Sequence, residues 1–273
     1  MDEKKFSILM SLYKKESPDN LEECFASIEK QTLRPSEIIC VFDGEIGSDL
    51  ESIVFSWENK LNIKIIRLKY NVGLGKALNA GLEHCSFDLV ARMDTDDICK
   101  NDRFEKQISL MNNKPNLALL GSYISEFESD ISCVTGVRYV PEAYESIISY
   151  CRVKNPFNHM TVVFRKKDIL NVGGYQHHPY MEDYNLWLRV ISAGLVVENL
   201  PEVLVYARVG KGMLKRRSGL SYIKSEYELA KLKVNLNVQS IPSALTYFFL
   251  RSLPRLLPLS VLSYIYKSNR KNN

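Results

Sequence analysis

The sequence predicts an α/β protein with a mostly parallel central sheet and helices on both of its faces. Short apolar runs alternate with helix-length amphipathic segments through the first 113 residues. Such alternation requires right-handed crossovers, which place successive strands parallel in one sheet. With 273 residues, 45% of them hydrophobic and 25% charged, the chain can bury a substantial core.

Four strands and three helices are predicted in this first part. The strands are expected at 6–13 (FSILMSLY), 37–44 (EIICVFDG), 63–70 (IKIIRLKY) and 88–93 (DLVARM). The helices are expected at 17–31, 73–85 and 101–113. The first of them opens with Pro18 and a capping Asp19, and its apolar residues recur at helical spacing.

Three of the strands end in residues that suggest a binding site. Tyr13 follows the first strand, Asp43 the second and Asp94 the fourth. In a parallel sheet, ligands bind in the crevice beyond the carboxyl ends of the strands. These three side chains are therefore candidate site residues.

The stretch MDTDD adds a cluster of acids to that crevice. Asp94, Asp96 and Asp97 would repel one another unless a cation lies between them. Oxygen ligands at this spacing suit Mg²⁺ or Mn²⁺, which take their remaining ligands from water and substrate phosphates. The alternative is a cluster of capping residues at the start of the following helix.

The glycine-rich stretch NVGLGKALNAG matches neither common nucleotide motif. Gly73 and Gly75 fit a dinucleotide fingerprint, but Leu78 stands where its third glycine belongs. A P-loop fails as well, with Tyr70 and Ala77 at two of its required positions. The turn either approaches a phosphate or ribose closely, or simply packs.

Several stretches together give the chain a clear resemblance. It resembles bacterial family 2 glycosyltransferases of the inverting GT-A class, and most of all those that build O-antigen, capsule and exopolysaccharide repeats on a lipid carrier. The resemblance covers residues 6 to about 218 and implies a GT-A fold with a C-terminal helical appendage. The matching stretches, in the family's order, are MSLYKKESPDNLEECFASIEKQTLRPSEIICVFDG, NVGLGKALNAGLEHC, ARMDTDDI, NPFNHMTVVFRKKDILNVGGY and MEDYNLWLRVISAG.

The resemblance implies roles on the donor side. Tyr13 would lie near the base or ribose, and Asp43 would accept a hydrogen bond from uracil. Asp94 and Asp96 would touch the ribose and bind the divalent metal on the diphosphate, with Asp97 a less certain neighbour. Arg92 could contact a carboxylate or phosphate, or could be a buried ion-pair partner.

The resemblance also implies roles on the acceptor side. Asp183 matches the catalytic base, and a carboxylate suits that role because the acceptor hydroxyl becomes acidic as it attacks. Glu182 is the alternative base. His159 would support the acceptor or diphosphate, although a histidine beside a strand is often structural. His177 and His178 would shape an acceptor loop rather than bind metal.

One departure from the family leaves the metal ligands open. Many relatives carry a histidine near the position of Gly210, and this chain has none there. Either the metal has fewer protein ligands, or Arg208 and Arg216, with Lys215 and Arg217, help to hold the diphosphate instead. The alternative for the basic run itself is a solvated loop. The expected organisation is a catalytic domain over 1–218, nucleotide-binding to about residue 100 and acceptor-binding over about 101–218, followed by a basic, amphipathic helical region over 219–273.

The C-terminal region carries an excess of positive charge. From Lys211 onward there are twelve Lys and Arg against two acids, so the net charge is about +10 there and about −6 before it. Its mixture of aromatic, apolar and basic residues suits the headgroup region of a bilayer, or a helix pair that packs on the domain. We predict no membrane-spanning helix, reduced and buried cysteines, and a cytoplasmic protein peripheral on the inner face of the bacterial cytoplasmic membrane.

The predicted function is transfer of a hexose or N-acetylhexosamine from a UDP-sugar to a polyprenyl-diphosphate-linked saccharide. A sugar nucleotidyltransferase is one alternative, although its basic glycine-rich loop is absent from residues 6–20. The other is a membrane- or nucleic-acid-binding module that uses the basic tail. No nucleic-acid-binding signature supports a nucleic-acid partner.

Overall fold

A computed structural model describes residues 4–210 and 218–257. Its strands are β1 (Ser7–Leu12), β2 (Glu37–Phe42), β3 (Ile63–Arg67), β4 (Leu89–Arg92), β5 (Ile98–Cys99), β6 (Leu117–Phe127), β7 (Val134–Arg138), β8 (Val163–Arg165) and β9 (Val196–Arg208). Its helices are α1 (Pro18–Glu29), α2 (Ser48–Leu61), α3 (Leu74–His84), α4 (Arg103–Asn113), α5 (Tyr144–Tyr150), α6 (Lys166–Asn171), α7 (Glu182–Ser192), α8 (Leu220–Asn235) and α9 (Ile241–Ser252). The α/β class is as the sequence predicts.

The nine strands of the described residues form one sheet in the order β3-β2-β1-β4-β8-β6-β9-β5, with β7 paired to β6. The strands from β3 to β4 are parallel. Beyond β4, β8 is antiparallel to both neighbours, β5 is antiparallel to β9, and β6 and β9 are parallel. The predicted parallel arrangement is therefore continuous over the first four strands and recurs in the later part of the sheet only between β6 and β9. The sheet becomes mixed because the later strands are not each followed by a crossover helix, as where β6 turns directly into β7.

The parallel strands are buried on both faces because helices cover both. In β1, Ile8 and Met10 pack in the same core as Phe25 of α1 and Phe104 of α4. Leu9 points to the opposite face, where it joins a second core with residues of α3 and α7. Alternate residues of one strand thus serve two cores.

The parallel half of the sheet brings the predicted site residues to one edge. Leu12 of β1 is in register with Phe42 of β2, and Leu9 of β1 with Arg92 of β4. Since parallel strands end at the same edge of a sheet, Tyr13, Asp43 and Asp94 follow their strands on one side of the molecule.

The C-terminal helices pack on the rest of the chain. Tyr222 and Leu229 of α8 are buried in the same core as Trp187 of α7. The Ser192 hydroxyl donates to the Leu236 carbonyl at 3.0 Å, across the junction of α7 and α8. Packing on the domain is therefore observed for α8, and Arg251 of α9 donates to the Val153 carbonyl at 2.7 Å. Residues 258–273 of the predicted tail lie outside the described residues. No helix in the described part of the chain is long and apolar enough to cross a membrane.

The cysteines are free, and five of the six are buried. Burial raises the pKa of the Cys40 thiol to about 12, so it stays protonated at neutral pH. Cys133 lies exposed in the loop between β6 and β7, so the prediction of a buried thiol is wrong there.

Candidate active site

The acid cluster forms a tight loop directly after β4. Asp97 is buried, and its Oδ1 accepts a hydrogen bond from the Arg208 backbone N–H at 2.8 Å. Burial raises the pKa of Asp96 to about 7, and the nearby charges of Asp94 and Glu16 act in the same direction. Burial, followed by the charges of Asp96 and Asp94, also raises the pKa of Asp97. Burial and mutual repulsion thus disfavour the ionised carboxylates, and a cation bound at this loop would stabilise them.

This donor set fits a hard divalent cation held partly by substrate. Among residues 4–210 and 218–257, no three or more His, Cys, Asp or Glu side chains are grouped to hold a metal ion. Mg²⁺ and Mn²⁺ are commonly bound through one or two carboxylates together with substrate phosphates, and Asp94 and Asp96 offer oxygen ligands of that kind.

Arg92, the last residue of β4, is fully buried beneath the acid loop. Its guanidinium forms an ion pair with Asp94 through Nη2 and Oδ1. Its Nε and Nη1 have no hydrogen-bond partner within the described residues. The ion-pair alternative is thus observed for one nitrogen of the guanidinium. For the other two nitrogens, residues 4–210 and 218–257 supply no acceptor.

Asp43 holds the glycine-rich turn in place. Its Oδ1 accepts from the Val72 backbone N–H at 2.7 Å, and its Oδ2 accepts from Asn71 Nδ2 at 3.0 Å and Gly73 N–H at 3.1 Å. The carboxylate is buried. The contact between Asp43 and uracil stays a prediction. The Asp43 carboxylate would have to make it while accepting these three hydrogen bonds.

Tyr13 is exposed at the end of β1, where 37% of its surface is accessible. Its carbonyl accepts from the Glu16 N–H at 3.1 Å, which closes a turn between β1 and α1. An exposed aromatic ring at this edge is available to stack on a flat ligand, so its role near the base or ribose stays a prediction.

Asp183 lies in the first turn of α7, where a negative charge is favoured by the helix dipole. Its Oδ2 accepts a hydrogen bond from Asn155 Nδ2 at 2.6 Å, and its Oδ1 accepts from the Tyr184 N–H at 2.7 Å. Our sequence analysis missed Asn155. The available signal was its place at the start of the NPFN stretch, only four residues before His159.

Glu182, the alternative base, precedes Asp183 in the same turn. Burial raises its pKa to about 7, and the Asp183 charge adds to that shift. A carboxyl group with such a pKa is partly protonated at neutral pH but is also well matched to proton transfer there, so the shift does not choose between the two carboxylates. The two hydrogen bonds that fix the Asp183 carboxylate favour Asp183 as the proton acceptor.

His159 lies between aromatic side chains. Its Nε2 is 2.9 Å from the Tyr175 hydroxyl, and its ring packs edge-on against Trp187 at a centroid distance of 6.0 Å. Burial, with the nearby Arg92 charge, lowers the pKa of His159 well below its usual value. A neutral imidazole at this point can orient the Tyr175 hydroxyl, but it carries no charge for a phosphate.

Tyr175 connects the two groups of site residues. Burial raises the pKa of its phenol, and the charges of Arg92, Asp183 and Asp94 all act on it. Arg92 and Asp94 belong to the acid loop and Asp183 to α7, so the donor-side and acceptor-side candidates share one site.

Arg208 has different partners from those expected of a diphosphate ligand. Its Nη2 pairs with Glu23 of α1 at 2.5 Å, and its Nε donates to the Asp96 carbonyl at 3.1 Å. Its guanidinium also stacks on Phe127 at 4.5 Å. Arg208 therefore contacts the acid loop through the Asp96 carbonyl, and its role in holding the diphosphate stays a prediction. Arg216, with Lys215 and Arg217, lies outside the described residues.

His178 is buried between α7 and α8. Its Nε2 is 3.0 Å from the Ser225 carbonyl of α8, and its Nδ1 is 3.1 Å from Asn185 Nδ2. Both ring nitrogens contact the protein, so this histidine joins α7 to α8.

Comparison with known proteins identifies the family. The model of "Glycosyl transferase family 2" matches residues 7–172. This chain is a family 2 glycosyltransferase. The chain is 47% identical to the amylovoran biosynthesis glycosyltransferase AmsE of Erwinia amylovora, over 97% of this chain and 99% of that protein. It is 40% identical to the UDP-Gal:alpha-D-GlcNAc-diphosphoundecaprenol beta-1,3-galactosyltransferase of Escherichia coli, over 97% and 96% of the two chains.

Solved structures confirm the GT-A fold for this glycosyltransferase. Residues 1–349 of S. aureus TarS, in complex with UDP-GlcNAc, superpose with a TM-score of 0.69 and 18% identity, over 91% of this chain and 73% of that one. The mannosyltransferase PcManGT of Pyrobaculum calidifontis, in complex with GDP-Man and Mn²⁺, gives 0.64 and 14%, over 96% and 79%. At these identities the likeness concerns the fold.

Proposed function

We propose that this glycosyltransferase moves a hexose or N-acetylhexosamine from a UDP-sugar to a polyprenyl-diphosphate-linked saccharide, with inversion at the anomeric carbon. The observation that carries the proposal is the placement of Asp183, held by Asn155, in the same site as the Arg92–Asp94 pair. The name of the E. coli relative supports the substrate classes, since it states a UDP-sugar donor and a lipid-diphosphate-linked acceptor.

The donor would bind along the edge formed by β1, β2 and β4. Tyr13 would stack against the base or ribose, and Asp43 would accept a hydrogen bond from uracil while it fixes the turn at 71–73. Arg92 would use its two unpaired nitrogens toward the diphosphate or the sugar. Asp94 would contact the ribose.

Asp94 and Asp96 would hold the divalent cation, Mn²⁺ or Mg²⁺. When bound there, the cation would neutralise the charge that develops on the departing diphosphate. The protein's part is to keep the carboxylates together against their repulsion, which the hydrogen bond from Arg208 N–H to Asp97 and the Arg92 ion pair do.

Asp183 would take the proton of the acceptor hydroxyl as that oxygen attacks the anomeric carbon. Asn155 and the Tyr184 N–H stabilise the ionised carboxylate and fix its orientation. A single displacement on an α-linked UDP-sugar would give a β-linked product. His159 would support the acceptor side through Tyr175, whose hydroxyl it contacts.

The acceptor class implies contact with a membrane, and α9 has a face suited to it. Ile241, Leu245, Phe249 and Leu253 recur every four residues, and between 45% and 62% of each is exposed. The sequence beyond residue 257 adds three basic residues. We infer that this face lies peripherally on the anionic inner surface of the cytoplasmic membrane.

Co-sedimentation with anionic lipid vesicles tests the membrane contact. We expect the double variant Leu245→Glu/Phe249→Glu to lose binding. Thr246→Glu, an exposed position on the same helix, should keep most of it. Equal binding by all three proteins would refute the role of this face.

A panel of UDP-sugars incubated with a synthetic lipid-diphosphate sugar tests the function. Mass spectrometry should show one hexose or N-acetylhexosamine added to the acceptor, with UDP released. In a separate incubation with UTP and a sugar 1-phosphate, formation of a UDP-sugar and diphosphate would instead indicate a nucleotidyltransferase. No turnover and no stabilisation by any nucleotide would favour a binding module.

A further inference from the structure

A short backbone segment, residues 151–155, is held by side chains from four different elements. This segment follows α5 and leads to Asn155. Its carbonyls accept hydrogen bonds as follows: Cys151 from Tyr184 Oη at 2.6 Å, Arg152 from Lys233 Nζ at 2.8 Å, Val153 from Arg251 Nη1 at 2.7 Å and Asn155 from Arg138 Nη2 at 3.3 Å. We call these residues the base strap.

The base strap ends in the amide that contacts the base. Asn155 Oδ1 accepts from the Phe157 N–H at 3.2 Å, so the opposite side of the amide, Nδ2, is turned toward Asp183. A shift of the strap's backbone would therefore move the donor that fixes the Asp183 carboxylate.

Two of the strap's contacts come from the C-terminal helices, one from a buried lysine and one from a partly buried arginine. Lys233 of α8 is 3% exposed, and burial, with the Arg251 charge nearby, lowers its pKa to about 7. Arg251 of α9 forms a two-pronged ion pair with Glu226, which is 2% exposed. Burying a charge is costly unless specific partners compensate it, so these residues are not ordinary surface cations.

Lys233 and Arg251 also lie beside the ring of Tyr184, the residue that follows Asp183. Lys233 Nζ lies 4.7 Å from the centroid of the Tyr184 ring, and the Arg251 guanidinium lies 5.8 Å from it. Tyr184 follows Asp183 directly in α7, and its N–H is the second donor to the Asp183 carboxylate. The two donors to the Asp183 carboxylate, Asn155 and Tyr184, are thus both held by contacts from α8 and α9.

We propose that Lys233 and Arg251 are positioning residues for the catalytic base, acting through the base strap and Asn155. The C-terminal helices are then part of the catalytic apparatus rather than an appendage to a domain that ends at residue 218. This inference rests on the proposed role of Asp183.

The test compares Lys233→Met, Arg251→Lys and Asn155→Ala in steady-state transfer assays over a range of pH. Arg251→Lys keeps the positive charge beside Glu226 but loses the fork that also reaches Val153. We expect kcat to fall about tenfold or more in each variant, with the KM for the UDP-sugar within twofold of wild type. Lys231→Met, an exposed lysine on the same helix, is the matched control and should behave as wild type.

The pH profile separates positioning from a merely structural role. A lost hydrogen bond to the carboxylate should move the acidic limb of kcat/KM to higher pH in all three variants. Glu182 and Tyr175 lie close enough to Asp183 to interact with its charge, so the shift is measured again in a Glu182→Gln background, where it should persist. Variants with lower activity but an unmoved limb would overturn the inference. If Arg251→Lys does not fold, the pH profiles of Lys233→Met and Asn155→Ala test the inference on their own.

Asp183→Asn distinguishes this inference from the function on which it rests. A fully active Asp183→Asn would overturn both. An inactive Asp183→Asn together with wild-type kinetics and pH profile in the Lys233 and Asn155 variants would overturn this inference alone.

Discussion

Gly75 of α3 lies directly against Glu182 of α7. A Cβ added at Gly75 would stand 3.0 Å from the Glu182 Cβ and 3.3 Å from the Gln176 carbonyl oxygen. The glycine-rich turn is therefore a packing site for the start of the catalytic helix. Of the two alternatives that the sequence left open for this turn, close packing is the one observed at Gly75.

The first prediction concerns this contact. Gly75→Ala should displace the first turn of α7 by a few tenths of an ångström, and the misplaced base should lower kcat about tenfold. The melting temperature should change little, because alanine favours the helix. Gly47→Ala, with nothing within 4 Å of its added Cβ, is the control. A Gly75→Ala enzyme with wild-type kcat would show that this approach does not position the base.

The second prediction concerns stability and pH at Lys233. Its pKa is about 7 in the folded chain and roughly 10.4 when unfolded, so folding releases a proton between these values. Lys233 should therefore make stability rise with pH in that window, by up to about 1.4 kcal/mol per pH unit. The buried thiols have raised pKa values, so they make stability fall as the pH rises, and they do so equally in every variant. The informative quantity is the difference from Lys233→Met.

Denaturant unfolding of the wild type, Lys233→Met and Lys231→Met at pH 7, 8 and 9 measures this difference. The wild type should gain stability relative to Lys233→Met as the pH rises, and Lys231→Met should follow the wild type. Parallel curves for all three proteins would mean that Lys233 is not neutralised by folding.

The third prediction concerns the divalent cation. UDP should raise the melting temperature with Mn²⁺ present and much less in excess chelator, because the cation joins the diphosphate to the acid loop. Asp94→Ala and Asp96→Ala should each lose the metal-dependent part, and Asp49→Asn on the exposed face of α2 should keep it. Equal stabilisation by UDP with and without metal would argue for a cation-independent site.

The sequence predicts the elements whose residues carry a local periodic signal. Strands β1 to β4 and helices α1, α3 and α4 lie within a few residues of their predicted bounds. Helix α2 was missed although Leu50, Val54 and Trp57 recur at helical spacing. The mixed half of the sheet was not predictable in this way, because β5 and β8 have two and three residues and are defined by distant partners.

For the site, residue chemistry and family resemblance together led to the acids, and tertiary contacts decided the rest. Charge alone suggested Arg208 as a phosphate ligand, whereas the fold places Glu23 beside it. Asn155 carries no charge and lies in a loop, so its place in the NPFN stretch was its one signal in the sequence, and its contact with Asp183 is what indicates its role. The internal contacts of Lys233 and Arg251 could not be predicted either, because basic residues in a basic tail suggest an exposed surface.

The direct test of the account is a comparison of Asp183→Asn with Glu182→Gln in the transfer assay, with UDP affinity measured on the same preparations. We expect Asp183→Asn to lose about 10²- to 10⁴-fold in kcat while it binds UDP as the wild type does, and Glu182→Gln to lose far less. Full transfer by Asp183→Asn, or a larger loss in Glu182→Gln, would contradict the assignment of the base.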